Sequence, residues 1–164
     1  MSWLYPYKED PSSLRLGGPL YRPFVPIALA NGDQVTFQLT GLIDTGADSV
    51  LASDYLADQL GVDLDDHEGE TTLGVGGHVV AVRYKTVSLR LYPKGEDDVY
   101  IDRSKIGQQA PVGFIPNWHS YGFVLLGSVG FLDQFTVTAS RFAQAVAVED
   151  RDAFDERFGT IPST

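Results

Sequence analysis

The run Asp44-Thr45-Gly46-Ala47 could carry acid–base chemistry, because it directly follows the apolar pair Leu42-Ile43. This pattern predicts a strand that delivers a carboxylate into a loop, where Gly46 allows close approach of the backbone. Taken alone, an Asp-Thr-Gly triplet is a weak signal, since many such triplets are ordinary turns. Its interpretation therefore depends on two other stretches of the chain.

The first of these is a hairpin pattern at residues 73–83, with apolar arms around the glycine-rich tip Gly74-Val75-Gly76-Gly77. Glycines let such a tip bend over a bound peptide, although a plain flexible hairpin has the same pattern. The second is Val124-Leu125-Leu126-Gly127, an apolar strand that ends at a glycine.

Together the three motifs resemble those of the retropepsin-like (retroviral-type) aspartic proteases. That family has an apolar pair before Asp-Thr-Gly-Ala, a glycine-rich flap and a late apolar-apolar-Gly motif. The run at residues 130–138 is similar to the bacterial single-domain branch in particular. The resemblance covers about residues 21–140. It implies an all-β fold, a retropepsin-like acid-protease single lobe with a glycine-rich flap hairpin and one short helix, and an active site at a homodimer axis.

The resemblance also implies which residues form the site. Asp44, Thr45 and Gly46 would be catalytic, with each Thr45 hydrogen-bonding across the axis to the other catalytic loop. The residues implied for substrate binding lie in the same loop and in the flap: Ala47, Asp48, Gly74, Val75, Gly76 and Gly77.

The sequence departs from the family pattern at one pair of positions. Retroviral enzymes carry an Arg just after the apolar-apolar-Gly triplet, and this Arg pairs with an acid two residues beyond the catalytic Gly. Here the two positions are Ser128 and Asp48. Asp48 therefore needs another cation, for which Arg22 and Arg141 are candidates, or it remains solvated.

Peptide hydrolysis without a metal or a nucleophilic side chain needs two carboxyls that share one proton. The chain has no second Asp-Thr-Gly and no Asp-Ser-Gly, so two-fold symmetry must supply the second carboxyl. We therefore expect an aspartic endopeptidase that acts as a homodimer on an extended peptide or protein substrate. A catalytically weak or inactive peptide-binding or dimerisation module with the same fold is the alternative.

Other sites have weaker support. The three histidines, at positions 67, 78 and 119, match no zinc spacing. The acidic run at residues 63–70 lacks the ligand spacing of a calcium loop and is expected to be solvated. No Lys-Ser/Thr follows the flap glycines, as a phosphate-binding loop would require. We expect no metal and no cofactor. Three aromatic residues fit either a pocket lining or the core: Trp118, Tyr121 and Phe123.

Composition narrows the possible partners. Twelve Lys and Arg against twenty-two Asp and Glu give a net charge of −10, which repels phosphate backbones and anionic headgroups. We expect no nucleic-acid and no membrane partner. The absence of cysteine excludes disulfides and a cysteine nucleophile. The opening residues do not have the pattern of a signal peptide, and no apolar run is long enough to span a bilayer. We expect a soluble, cytoplasmic protein.

The predicted organisation is an extended arm (residues 1–20), a protease domain (residues 21–140) and a C-terminal strand with an acidic tail (residues 141–164). A hairpin turns at Asn31-Gly32 and its second strand, at residues 35–39, continues towards Asp44. A short helix fits residues 53–60. Residues 142–148 predict either a strand that joins two subunits or an edge strand within one, and residues 149–158 fit a helix or a loose tail. Further strands are predicted at residues 99–101, 112–115, 123–126 and 135–138.

Overall fold

The computed structural model describes residues 1–10, 18–75, 78–92, 107–118 and 122–159. Gly76 and Gly77 of the predicted flap tip lie outside these ranges, as do the strand predicted at residues 99–101, His119 and Tyr121. Among the described residues, no helix has the length and apolar character needed to cross a membrane.

The described residues form thirteen strands and two short helices. In chain order they are β1 (Ser2–Pro6), β2 (Lys8–Glu9), β3 (Tyr21–Arg22), β4 (Phe24–Asn31), β5 (Gln34–Val35), β6 (Leu39–Ile43), β7 (Val50–Ser53), α1 (Asp54–Gln59), β8 (Gly69–Val75), β9 (His78–Leu91), β10 (Gly107–Ile115), β11 (Phe123–Leu126), β12 (Thr136–Ser140), β13 (Ala145–Glu149) and α2 (Arg151–Phe158).

The largest sheet positions the run Asp44-Thr45-Gly46-Ala47. Its strand order is β5-β4-β6-β11-β7-β10-β9-β8, and an additional pairing of β4 with β9 closes it on itself. Strand β11 lies between β6 and β7, parallel to the first and antiparallel to the second. The strand before Asp44 and the strand after it therefore flank the apolar-apolar-Gly strand, whose residue Leu125 is opposite both Leu42 and Leu51.

Alternation along the strands separates two apolar clusters, because successive side chains point to opposite faces of a sheet. The main core includes Val50 and Ala52 of β7 and Val124 and Leu126 of β11. A smaller group, here called the flap-side cluster, lies on the other face of the same strands. It consists of buried Leu51, Val82 and Ile115 with partly buried Leu73, Val80, Tyr84, Trp118 and Leu125.

A second sheet, with strand order β1-β13-β12, joins the two ends of the described chain. The strand predicted at residues 142–148 begins only at Ala145, because residues 141–144 form a turn in which Gln144 has a φ of 49°. This strand is not an edge strand, since β13 pairs with β1 on one side and β12 on the other. Tyr5, Val146 and Val148 of this sheet are buried in the main core.

Local signals explain several element boundaries. Gly32, with a φ of 56°, begins the turn between β4 and β5. The strand predicted at residues 35–39 is interrupted, because Thr36 bonds back to Leu29: its N–H donates to the Leu29 carbonyl at 2.9 Å and its hydroxyl accepts from the Leu29 N–H at 3.1 Å. The helix predicted at residues 53–60 is confirmed as α1, with Ser53 as its N-cap.

The stretch at residues 149–158, for which a helix or a loose tail was predicted, contains helix α2. The side chain of Asp150 caps α2 by accepting from the Ala153 N–H at 2.9 Å. Arg157 donates to both carboxylate oxygens of buried Glu149, at 2.7 and 2.6 Å. This ion pair holds α2 against β13.

Candidate active site

Asp44 directly follows the last residue of β6 and is fixed to the neighbouring strand through its main chain. Its N–H donates to the carbonyl of Leu126 at 3.1 Å, and its own carbonyl accepts from the Ala47 N–H at 3.1 Å. Leu126 ends β11. The Asp44 loop is therefore attached to the end of the strand that carries the apolar-apolar-Gly motif.

The carboxylate of Asp44 is oriented by its own loop. One oxygen, Oδ1, accepts a hydrogen bond from the Gly46 N–H at 2.9 Å. A Cβ at position 46 would lie 3.3 Å from the same oxygen, which is a tight contact that glycine avoids. Asp44 is half-buried, whereas Thr45 and Gly46 are exposed. The carboxylate is thus held in place and still reachable from the surface.

Gly127 allows the catalytic loop and the chain after β11 to lie side by side. The N–H groups of Ser128 and Val129 donate to the carbonyls of Ala47 and Asp48, both at 2.9 Å. A Cβ on Gly127 would lie only 2.4 Å from the carbonyl oxygen of Ser49, closer than non-bonded atoms approach. The glycine of the apolar-apolar-Gly motif is therefore required by packing against the loop.

The cation expected for Asp48 is not Arg22. The Nε of Arg22 donates to Asp10 at 2.6 Å, and the Asp10 side chain is almost completely buried. Asp48 and Ser128 are exposed, and neither Asp48 nor Arg141 forms an ion pair within the described part of the chain. Asp48 therefore has an exposed carboxylate with no ion-pair partner among the described residues.

The predicted flap is a paired hairpin. Strands β8 and β9 pair from Gly69 opposite Tyr84 at the base to Val75 opposite His78 at the far end. Gly74 is exposed, and a Cβ there would meet nothing within 4 Å. The inward side chains of the hairpin belong to the flap-side cluster, which also contains Leu51 and Leu125. The hairpin therefore packs on the strands that flank Asp44.

The acidic run at residues 63–70 is bonded to the base of the hairpin and is not merely solvated. Arg83 donates to Asp65 at 2.9 Å and to Glu70 at 3.2 Å. Glu68 accepts from the hydroxyl and the N–H of Thr86 at 2.6 and 3.0 Å, and these two bonds lower the pKa of the Glu68 carboxyl. The run ties the preceding loop to β9.

The other candidate residues are not brought together at Asp44. Nε2 of His67 lies 3.5 Å from Oε2 of Glu70. Within the described ranges, no three His, Cys, Asp or Glu side chains converge in a way that could hold a metal ion. Phe123 lines a groove of about 470 Å³ with Leu39, Leu56 and Trp118. Because Leu39 and Phe123 begin β6 and β11, this groove lies at the opposite end of those strands from Asp44.

Sequence reasoning missed a contact beside the catalytic loop. The hydroxyls of Ser49 and Tyr84 lie 3.0 Å apart in a partly buried position. The two residues are on different segments, and no spacing rule connects them. Only the nearness of Ser49 to Asp48 along the chain could have drawn attention to it.

The sequence matches the model of the aspartyl protease family over residues 25–111. This match spans more than half of the chain, and the chain belongs to that family. No curated protein matches the sequence. Among solved structures, the crystal structure of a retropepsin-like aspartic protease from Rickettsia conorii is similar, with a TM-score of 0.53 and 14% sequence identity. The similarity covers 90% of this chain and 98% of that one. The all-β, retropepsin-like fold predicted from the sequence is therefore confirmed.

Proposed function

We propose that this chain is an aspartic endopeptidase whose active form is a homodimer, with one Asp44 from each copy in a shared site. The observation that supports this most directly is the Asp44 carboxylate, which is oriented by the Gly46 N–H and reachable from the surface. One such loop supplies one carboxyl. Two copies related by a two-fold axis supply the pair that the chemistry requires.

The proposed reaction uses the two carboxyls in different protonation states. Close carboxylates cannot both ionise easily, so the proposed pair shares one proton. The ionised Asp44 takes a proton from water as the water oxygen attacks the peptide carbonyl carbon. The protonated Asp44 gives its proton to the carbonyl oxygen. As the tetrahedral diol collapses and the C–N bond breaks, the carboxyl that took the water proton gives a proton to the amine nitrogen. The other carboxyl, now ionised, takes a proton from a diol hydroxyl, which leaves a carboxylic acid and an amine.

The substrate would bind as an extended strand between the loop and the flap. Main-chain groups of Gly46, Ala47 and Asp48 lie on the loop side, and main-chain bonds of this kind recognise any extended peptide regardless of sequence. Gly74 and Val75, together with Gly76 and Gly77, would close from the other side. Each Thr45 is exposed in the single chain, and in the proposed dimer it would bond to the other catalytic loop.

The substitution Asp44→Asn tests the chemistry. Asparagine keeps the shape of the side chain but cannot exchange a proton, so we expect peptide cleavage near pH 5 to fall by about 10³-fold or more. The melting temperature should stay the same within a few degrees, because Asp44 is only half-buried. Cleavage by the wild type should also be blocked by a statine-type inhibitor. A mutant that retains activity would contradict the aspartic mechanism.

The same variant tests the shared site. When Asp44→Asn is mixed in excess with the wild type and subunits exchange, mixed dimers contain only one Asp44. Activity should then fall below that of the wild type alone at equal concentration. Activity that depends only on the amount of wild-type chain would mean that one chain suffices.

We propose strand β12 as the seam of the dimer. Among the described strands, β12 pairs on one side only, with β13. Charged residues and proline usually protect an exposed edge strand from pairing. The sequence of β12, Thr-Val-Thr-Ala-Ser, contains neither. In a symmetric antiparallel pair, the middle residue Thr138 would lie opposite its own copy.

The substitution Thr138→Lys would put two like charges side by side at this seam. We expect the dimer dissociation constant, measured by analytical ultracentrifugation at low ionic strength, to rise about tenfold. Ser2→Lys, which puts the same charge on the other edge strand β1, is the matched control and should leave the constant unchanged. An equal effect from both variants, or none from Thr138→Lys, would place the seam elsewhere.

A peptide-binding module that does not cleave is the second candidate, and one observation favours it. Asp48 has no ion pair within the described residues, and Ser128 stands where the family Arg would anchor it. A less firmly anchored loop would bind peptides but align the carboxyls poorly. Peptide binding without turnover, in a wild-type dimer between pH 3 and pH 7, would identify this module.

A further inference from the structure

Two hydroxyl groups connect the base of the flap to the strand that leaves the catalytic loop. We propose that Tyr84 and Ser49 are a positioning pair, which holds the hairpin β8–β9 at a fixed distance from the loop residues that contact substrate. The role rests on the proposed function, since it concerns the closure of the same site.

Tyr84 stands at the base of the hairpin. It is the last residue of β9 paired with β8, opposite Gly69, and its carbonyl accepts from the Glu68 N–H at 2.9 Å. Beyond this position β9 continues into the closed sheet through its pairing with β10. Any motion of the hairpin relative to the sheet must therefore pivot close to Tyr84.

The ring of Tyr84 crosses β10 because its partner there is a glycine. Gly113 is opposite Tyr84 on β9 and opposite Leu51 on β7. A Cβ on Gly113 would lie 2.9 Å from Cε1 of Tyr84, 2.8 Å from Cδ2 of Leu51 and 2.6 Å from Cγ1 of Val82. Only glycine leaves this space free for the ring to pass over β10 towards Ser49.

The Ser49 hydroxyl pairs with that of Tyr84 at a point where the main chain is already held by hydrogen bonds. It is 7% exposed and lies between Asp48 and the first residue of β7. On its two sides, the Val129 N–H donates to the Asp48 carbonyl at 2.9 Å and the Val50 N–H donates to the Val129 carbonyl at 3.0 Å. A hydrogen bond to Ser49 therefore attaches the flap base to a rigid part of the loop.

The hydroxyl pair is polar in apolar surroundings. Tyr84 packs in the flap-side cluster with Leu51 and Val82, where a hydroxyl that loses its partner is not fully compensated by water. The pair thus has one favoured arrangement. It sets the separation between Asp48 on the loop side and Val75 at the far end of the hairpin, and both would contact the same peptide.

A contact made equally in the substrate complex and in the transition state affects binding rather than turnover. Loss of the pair should therefore raise KM and leave kcat nearly unchanged. The variants Tyr84→Phe and Ser49→Ala each remove one hydroxyl. The matched control is Tyr55→Phe in helix α1. It removes an exposed hydroxyl that accepts a hydrogen bond from the Gln59 side chain at 2.8 Å.

The experiment measures kcat, KM and the affinity of a statine-type inhibitor for the three single variants and for the double variant of Ser49 and Tyr84. We expect each of Tyr84→Phe and Ser49→Ala to raise KM and the inhibitor Kd about tenfold, with kcat within about twofold of the wild type. The double variant of Ser49 and Tyr84 should have the same KM and inhibitor Kd as either of these single variants, because the same hydrogen bond is lost in each. Tyr55→Phe should match the wild type.

Two results would overturn the proposal: additive effects of the two substitutions, or a lowered melting temperature with KM unchanged, which is what a purely structural bond would give.

Amide hydrogen exchange gives a test that needs no activity. If the wild type itself fails to cleave peptides, the proposed function is wrong, yet the positioning pair still predicts faster exchange in β8 and in the part of β9 paired with it for both variants. Exchange equal to that of the wild type would then reject the pair as well.

Discussion

The two faces of strands β7 and β11 differ in how completely they are packed. On the main-core face, Val50 and Leu126 are fully buried. On the opposite face, Leu51 is buried but Leu125 is only partly buried, and Ser49, just before β7, carries a hydroxyl that pairs with Tyr84. Neighbouring residues of the same short strands thus have very different surroundings.

The two faces of a small sheet can therefore serve different functions. Because side chains alternate, one set of residues can pack at the density of a core, while the next set lines a surface that a hairpin covers. If the hairpin opens to admit a peptide, as proposed, the partly buried members of the flap-side cluster, such as Leu125, would become exposed. We therefore expect substitutions on the core face to change stability, and those on the flap side to change binding.

The largest effect is expected at Gly127, where both faces end at the catalytic loop. In Gly127→Ala the new methyl group would be 2.4 Å from the Ser49 carbonyl and 2.6 Å from that of Ala47. Both are backbone atoms, which cannot rotate away. We expect a loss of roughly 3 kcal/mol or more in the free energy of unfolding, measured by urea titration, and loss of peptide cleavage.

The control for this variant is Gly74→Ala at the far end of the flap. A Cβ there meets nothing within 4 Å, and its φ is not in the left-handed region. The free energy of unfolding should change by less than about 0.5 kcal/mol. A stable, active Gly127→Ala would show that the loop is not packed against this glycine.

The next largest effect separates two neighbouring leucines of β11. Leu126→Ala removes a side chain that is 0% exposed and should cost about 2–5 kcal/mol of unfolding free energy. Leu125→Ala should cost clearly less, about 1–2 kcal/mol, because its site is already partly open. Leu125→Ala should instead raise KM for peptides, since it removes part of the surface under the flap.

Urea unfolding and steady-state kinetics on both leucine variants test whether the two faces have separate roles. The expected pattern is a stability defect at Leu126 and a binding defect at Leu125. Equal losses of stability with equal KM values would mean that both faces serve the core, and that the flap-side cluster has no separate role.

Local patterns were sufficient to predict much of this fold. Helix α1 was predicted because Ser53 caps it and Gly61 follows it. Strand β11 was predicted with its observed limits, because the apolar run at residues 123–126 is bounded by glycines on both sides. The hairpin β8–β9 follows from its two apolar arms around glycines. Each of these elements is determined by residues close together in sequence.

Features that depend on distant residues were not predictable. The strand at residues 145–149 has the alternation of any half-buried strand, and only its partners β1 and β12 make it a central one. Arg22 was one of two candidate cations for Asp48 on charge alone, but it pairs with the buried Asp10, because an unpaired buried carboxylate is costly. The bond between Ser49 and Tyr84 depends on the space left by Gly113, which no sequence rule connects to either residue.

The pairing of β1 with β13 has a consequence for the order in which the fold forms. These strands come from opposite ends of the described chain, so their sheet closes a very long loop, a step that is slow in proteins rich in non-local contacts. Among the described strands, β1 and β12 of this sheet pair only with β13, so neither has its partner until residues 145–149 have been synthesised. If two copies join through β12, as proposed, they can do so only after β13 is in place.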